Sequence, residues 1–131
     1  MSLNVEKRLS RSSLLEVTDL NNEGSEFNKR VVKMITLDNL LTNLDNLGNL
    51  GIKIDTEGFE LEVILGSKDT LKTTKFVMAE VRHNYESFRG SYKLHQFMEL
   101  MRRNNFQLSL IVTAKPLIAD LVFQPISELQ F

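Results

Sequence analysis

A chain of 131 residues is long enough for one hydrophobic core and too short for two comfortable domains. Apolar residues make up 42% and charged residues 25%, an ordinary globular balance, and the net charge of −1 gives no bulk pull toward nucleic acid or an anionic membrane. The absence of cysteine removes disulfides and thiolate metal sites, and no apolar run reaches membrane length, so neither a span nor a signal peptide is predicted and a cytoplasmic protein is the default expectation.

Residues 1–29 read as a polar, partly irregular segment in which Asn21-Asn22-Glu23-Gly24-Ser25 is a loop signal. Within it, Ser12-Ser13-Leu14-Leu15 is a short candidate for docking on something else. From residue 30 to 131 the pattern is that of an α/β domain. Arg30 to Leu37 alternates Val31, Lys33 and Ile35 with Val32, Met34 and Thr36, and its β-branched content predicts a strand. Thr36 or Asp38 then caps a short helix through Leu40, Leu41 and Leu44. Leu50 to Asp55 reads as a short, largely buried strand entered through Gly48 and Gly51. Phe59, Leu61, Val63, Ile64 and Leu65 predict a helix that stops near Gly66, with a left-handed cap expected there. A loop follows, and Phe76 to Val81 is a continuous apolar strand. Strand, helix and strand in this compass describe a βαβ crossover with parallel strands.

After a loop from Arg82 to Gly90, Ser91 is placed to cap a helix whose apolar face is Leu94, Phe97, Met98 and Met101, and Asn104-Asn105 ends it. Phe106 to Val112 and Ile118 to Phe123 are β-rich runs joined by Thr113-Ala114-Lys115-Pro116, which predicts an antiparallel hairpin. The expected whole is an α/β layer structure with a mixed sheet.

Ligands of open parallel sheets sit at the carboxyl ends of the strands, where loops and helix starts converge. Asp55 falls at such an end, and a charge closing an apolar strand must be paired or solvated, which makes it the leading candidate. Glu57 occupies the following turn beside Gly58. Capping of the next helix also accounts for Glu57, and still more for Glu60, which can reach back toward its first turn. Lys53, between Ile52 and Ile54, requires an edge, a pocket or a carboxylate partner, and an ion pair is the plain reading. Glu80 ends the second parallel strand with Arg82 and His83 just beyond, on the same rim; the unperturbed pKa of a histidine side chain lies near neutrality, which makes His83 a candidate base, although a loop histidine is more often idle. His95 reads as structural or surface, and Met98 and Met101 as core. No metal-ligand spacing, phosphate loop or nucleophile elbow is present.

Thr36-Leu37-Asp38-Asn39-Leu40, the run Ile52-Lys53-Ile54-Asp55-Thr56-Glu57-Gly58-Phe59-Glu60, Leu65-Gly66-Ser67 and Ala79-Glu80-Val81 resemble, in that order, the FkbM methyltransferase family. Its pattern is T-L-D-x-L, then I-K-I-D-x-E-G-x-E, then a leucine-glycine helix end, then a strand ending in glutamate. Ser12-Ser13-Leu14 also looks like the serine-rich segment that precedes its T-L-D element. The resemblance covers roughly residues 10 to 125. It implies a Rossmann-like methyltransferase sheet ordered 3-2-1-4-5-7-6, in which Leu50–Asp55 is the fourth strand, Phe76–Val81 the fifth and the hairpin the sixth and seventh. It further implies methyl transfer from S-adenosylmethionine to a hydroxyl oxygen of a small-molecule acceptor, with Asp55, Glu57, Glu80 and His83 as catalytic candidates and Asp55 on one wall of the cofactor site.

The family's glycine-rich loop and the acidic residue that hold most of the cofactor are expected upstream of residue 10, so the chain reads as the C-terminal half of that domain. Its fourth strand would then be an uncovered edge, which predicts a homodimer or complementation by a separate N-terminal half. Two other classes compete with a methyltransferase. One is a non-catalytic dimerising or assembly module of the same fold. The other is a carbohydrate hydrolase, since D-x-E also ends strands in barrel glycosidases, but a barrel needs about 200 residues or more.

Overall fold

The computed structural model describes residues 1–6, 13–15, 27–44, 47–83 and 89–128. Near the start, β1 (Ser2–Glu6) pairs antiparallel with β2 (Phe27–Val31), Ser2 opposite Val31 and Glu6 opposite Phe27. The strand expected over Arg30 to Leu37 is thus displaced toward the N-terminus, and β2 runs through the expected boundary at residue 30. Only residues 27–31 find a partner strand. Residues 32–36 have no regular structure, Met34 and Ile35 stand exposed, and Thr36 is committed to the next helix. The loop signal at residues 21–25 lies outside the described residues.

Thr36 caps α1 (Leu37–Leu41), its hydroxyl accepting from the Asn39 N–H at 3.2 Å. The helix stops short of Leu44 because Leu40 and Leu44 are more than half exposed, and a short helix without a buried face does not propagate. Asp38 is not the cap of this helix. Its carboxylate instead crosses to α3 (Lys68–Leu71), accepting from the Asp69 N–H at 3.1 Å, the Thr70 N–H at 2.8 Å and the Thr70 hydroxyl at 2.7 Å.

That contact explains two further departures. Residues 68–71 are helical where a loop is expected, because Asp38 satisfies the first N–H groups of the turn. Gly66, after α2 (Glu60–Leu65), is not left-handed; its φ is −87° and the chain runs on into α3. Glycine stands there for space, since a Cβ would lie 3.2 Å from the Thr36 side chain, and the Gly66 carbonyl accepts from the Asp38 N–H at 3.0 Å.

Among the described residues the main sheet has four strands, β3 (Leu50–Ile54), β4 (Thr74–Arg82), β5 (Phe106–Ala114) and β6 (Ile118–Pro125), in the order β3-β4-β6-β5. β3 and β4 are parallel, and the other neighbours are antiparallel. The crossover and the hairpin are therefore as expected from the sequence, with β3 one residue shorter, β4 three and β5 and β6 each two residues longer than expected, and the hairpin turn at residues 115–117. α4 (Leu94–Arg103) presents the expected face, with Phe97 and Met101 fully buried and Leu94 and Met98 packed at its margin. Its cap is Lys93 rather than Ser91, because Gln96 reaches back to accept the Lys93 N–H at 2.7 Å. Asn105, with φ 62°, ends the helix in the left-handed conformation that asparagine tolerates.

One face of the sheet makes the core. Ile52, Ile54, Val77, Ala79, Val81, Leu121 and Phe123 meet Ile64, Leu71, Phe97 and Met101 of the helices. Phe97 sits between Tyr92 and Phe123, with ring centroids 5.4 and 5.7 Å away. Each such buried ring contributes on the order of 2–3 kcal/mol. The other face carries Gly51, Lys53, Phe76, Met78, Glu80, Asp120, Val122 and Leu110, with Phe76 45% and Leu110 57% exposed. β3 is accordingly buried on one side only, not largely buried as its apolar run suggests. On the open side the Phe76 ring lies directly over Gly51, where a Cβ would come within 2.3 Å of it.

Candidate active-site rim

At the carboxyl ends of β3 and β4 the sequence Asp55-Thr56-Glu57-Gly58-Phe59 turns the chain from strand into α2. Glu57 has φ 50° and Gly58 φ 98°, so two consecutive residues adopt left-handed backbone. For Gly58 this is free; for Glu57 it must be held. The holding group within the motif is Glu60, which is 2% exposed. Its Oε1 accepts from the Thr56 N–H at 2.9 Å, the Thr56 hydroxyl at 3.2 Å and the Gly58 N–H at 3.2 Å. Glu60 thus reaches back as its position suggests, and its carboxylate is spent on the turn.

Glu57 is turned toward β4. Its Oε2 meets the Arg82 guanidinium at 2.9 Å, with the two side chains only 17% and 21% exposed. The Glu57 carbonyl accepts from the hydroxyl of Ser13 at 2.7 Å, and Ser13 is 1% exposed. The docking site of the Ser13 segment is therefore this turn. The sequence offers no partner for this segment, because Ser13 and Glu57 lie 44 positions apart.

Asp55 behaves differently. Its side chain is 46% exposed, and its ion pair with Lys53 is loose at 3.7 Å, between groups that both face solvent. Such a pair contributes about 0–1 kcal/mol. Lys53 has the ion pair expected of it. Glu80 lies beside Asp55 on the neighbouring strand and opposite Asp120 of β6. Burial pushes the Glu80 carboxyl up, and the charges of Asp55, Glu57 and Asp120 and a hydrogen bond with Asp55 add to the rise. Asp120 in turn accepts from the Thr113 hydroxyl.

His83 stands just past β4, half-buried, with Nε2 3.0 Å from the Lys115 carbonyl and its own N–H donating to the Leu117 carbonyl at 3.1 Å. A ring nitrogen facing a carbonyl carries the proton, which makes Nδ1 the acceptor atom of the neutral ring. The structure thus brings Asp55, Glu57 and Glu80 to one rim, and anchors His83 to the hairpin turn. His95 is exposed on α4. Behind the rim, the buried Tyr92 hydroxyl and one Glu62 oxygen have no hydrogen-bond partner among the described residues. Burial, followed by the charge of Glu60, pushes the Tyr92 phenol up, and burial pushes the Glu62 carboxyl up. Among the described residues no group of three or more metal-binding side chains converges, and no helix is long and apolar enough to cross a membrane.

No curated protein and no solved structure matches the chain. A family model does. The methyltransferase FkbM domain matches residues 4–108, most of the chain, beginning in β1 and ending within β5. The match takes in the Ser13 segment, the Asp38–α3 contact and the whole Asp55–Glu80 rim, and by it the chain belongs to the FkbM methyltransferase domain family.

Proposed function

We propose that this chain forms the acceptor-side wall of a site that transfers a methyl group from S-adenosylmethionine to a hydroxyl oxygen of a small molecule, on a partial Rossmann-like methyltransferase sheet. The observation that carries the reading is the Asp55–Glu80 carboxyl pair, side by side at the carboxyl ends of adjacent parallel strands. The strand order β3-β4-β6-β5 supports it, because it follows the 4-5-7-6 portion of the sheet that the family resemblance implies.

The rim fits the cofactor by charge. Carboxylates of Asp55, Glu57, Glu80 and Asp120 gather at a place suited to the cationic end of that molecule. S-adenosylmethionine supplies an electrophilic methyl on a positively charged sulfur. The protein's part is to position the acceptor and take a proton. Asp55, solvent-facing, accepts the hydrogen bond of the substrate hydroxyl and orients it. Glu80, whose proton affinity is raised by its surroundings, would receive the proton as the O–H bond breaks; the acceptor oxygen would take the methyl as its bond to the cofactor sulfur breaks, leaving a neutral thioether. Glu57 is held away on Arg82 and shapes the rim. His83 Nδ1 is the alternative proton acceptor. A cytoplasmic setting is part of this proposal.

Titration calorimetry with S-adenosylmethionine tests this reading. Saturable binding that disappears in Asp55→Ala is the expected result. A second reading, a non-catalytic assembly module, is favoured by the outermost position of β3 among the described strands and the half-exposed apolar residues of the open sheet face. Under either reading β3 is proposed to pair with a second copy of the chain. An antiparallel register about Ile54 sets Lys53 of each copy opposite Asp55 of the other. A stable dimer that binds no cofactor would leave only the assembly module; a monomer by sedimentation would remove the pairing.

A further inference from the structure

We propose that Ser13 is a positioning residue for this rim: its hydroxyl latches the Glu57 carbonyl and keeps that residue in the left-handed backbone that aims its carboxylate at Arg82. Four observations meet at the turn. Glu57 is a side-chain-bearing residue at φ 50°, a conformation that persists only where its surroundings fix it. Glu60 fixes the N–H groups of Thr56 and Gly58, on either side of it, but not its carbonyl. The carbonyl is taken by Ser13 Oγ at 2.7 Å, from a residue 44 positions away in the sequence and 1% exposed. The Ser13 oxygen is itself oriented by the Leu15 N–H at 3.1 Å, so the hydroxyl proton is directed to Glu57 while the oxygen lone pair is occupied.

The consequence reaches the chemistry through Glu57. With the latch closed, its carboxylate stays on Arg82 at 2.9 Å, and the Glu57 charge keeps a fixed place relative to Glu80. With the latch open, Glu57 is free to relax to ordinary backbone, which swings the carboxylate off Arg82 and out of the acidic group. Ser13 touches neither acceptor nor cofactor in this scheme. It sets the geometry in which Asp55 and Glu80 meet them.

The proposal rests on reading the rim as the methyl-transfer site, but its test needs no cofactor, so calorimetry judges that reading separately. Urea unfolding is measured for wild type, Ser13→Ala, Glu57→Gly and the double variant of the full chain. Glycine accepts a positive φ without support, so Ser13→Ala should lower the folded-to-unfolded ratio about fivefold alone and less than twofold in the Glu57→Gly background. Equal loss in both backgrounds would mean that Ser13 contributes its bond without holding the Glu57 backbone, and would overturn the proposal. Should Ser13→Ala fail to fold, the double variant is expected to fold; its failure too would overturn the latch. In folded variants, carboxyl-carbon NMR follows Glu80. Ser13→Ala should move its midpoint down, as the Glu57 charge leaves its surroundings, whereas Ser13→Thr should leave it in place. An unmoved midpoint in Ser13→Ala refutes the positioning role.

Discussion

At the amino end of the β3–β4 unit, Asp38 spends both carboxylate oxygens on α3, taking two N–H groups and a hydroxyl within 3.1 Å. At the carboxyl end, Asp55 has a lysine at 3.7 Å and open solvent, and Glu80 faces other carboxylates. The same chemical group is saturated at one end and left competing for protons at the other. Desolvation works against ionisation of Asp38, but the Thr70 and Asp69 bonds and the nearby Lys72 outweigh it and hold the carboxyl below its ordinary value. At Glu80 burial and repulsion act together and raise it. Asp38 is committed to stability; Asp55 and Glu80 lack the close donors that saturate it, and proton transfer can occur there.

The sharpest test lies within the rim itself, at the carboxylate whose Oε1 takes three donors. Glu60→Ala strands the Thr56 and Gly58 N–H groups in a buried turn and should cost about 3 kcal/mol, read from the urea midpoint. If it costs no more than a surface change, the turn is not held by Glu60 and the contrast between saturated and open carboxylates fails.

Asp38→Ala should cost less, about 2 kcal/mol, because its site is nearer solvent and water can replace part of what is lost. Its pH dependence has a definite sign. The folded state depresses the Asp38 carboxyl below 3.8, so its contribution is complete above that value and is lost as pH falls through the lower folded one. Wild type and Asp38→Asn should therefore differ in thermal midpoint at pH 6 and converge toward pH 2.

The smallest effect has the opposite sign. Glu80→Gln imitates the protonated acid and should stabilise the protein at pH 7 by on the order of 0.5 kcal/mol. The raised Glu80 carboxyl binds its proton more tightly in the folded state. Its favourable contribution is full below the ordinary 4.5 and disappears as pH rises through the folded value. The gain from Glu80→Gln should accordingly vanish below pH 4 in thermal scans. A loss of stability at pH 7 would show that Glu80 is a structural group like Asp38.

What the sequence made legible follows from the range of the forces involved. The α4 face, the parallel β3–β4 pair and the hairpin were readable because periodicity and turn residues report on neighbours within a few positions. So was the reach of Glu60 back over its own turn. Asp38 looked like a local cap because nothing near it in the chain reveals Thr70, 32 positions on. Gly66 suggested a left-handed stop for the same reason, since the Thr36 side chain that excludes a Cβ there comes from another element. The strand at residues 27–31 was misplaced because its limits are set by β1, a pairing that local β-propensity does not encode. Of the rim, Asp55, Glu57 and Glu80 could be placed by topology. The hold of Ser13 and Arg82 on Glu57 could not, because it depends on contacts 44 and 25 positions apart.

The ring of Phe76 over Gly51 carries an evolutionary consequence. Any side chain at 51 would occupy the space of the ring, and a small residue at 76 would bare the backbone of β3. Neither position can change alone without loss, so the two are expected to vary together among relatives: glycine with an aromatic partner, or a larger residue at 51 with a smaller one at 76. A collection of homologous sequences in which 51 and 76 drift independently would show that the ring has no such hold on the strand.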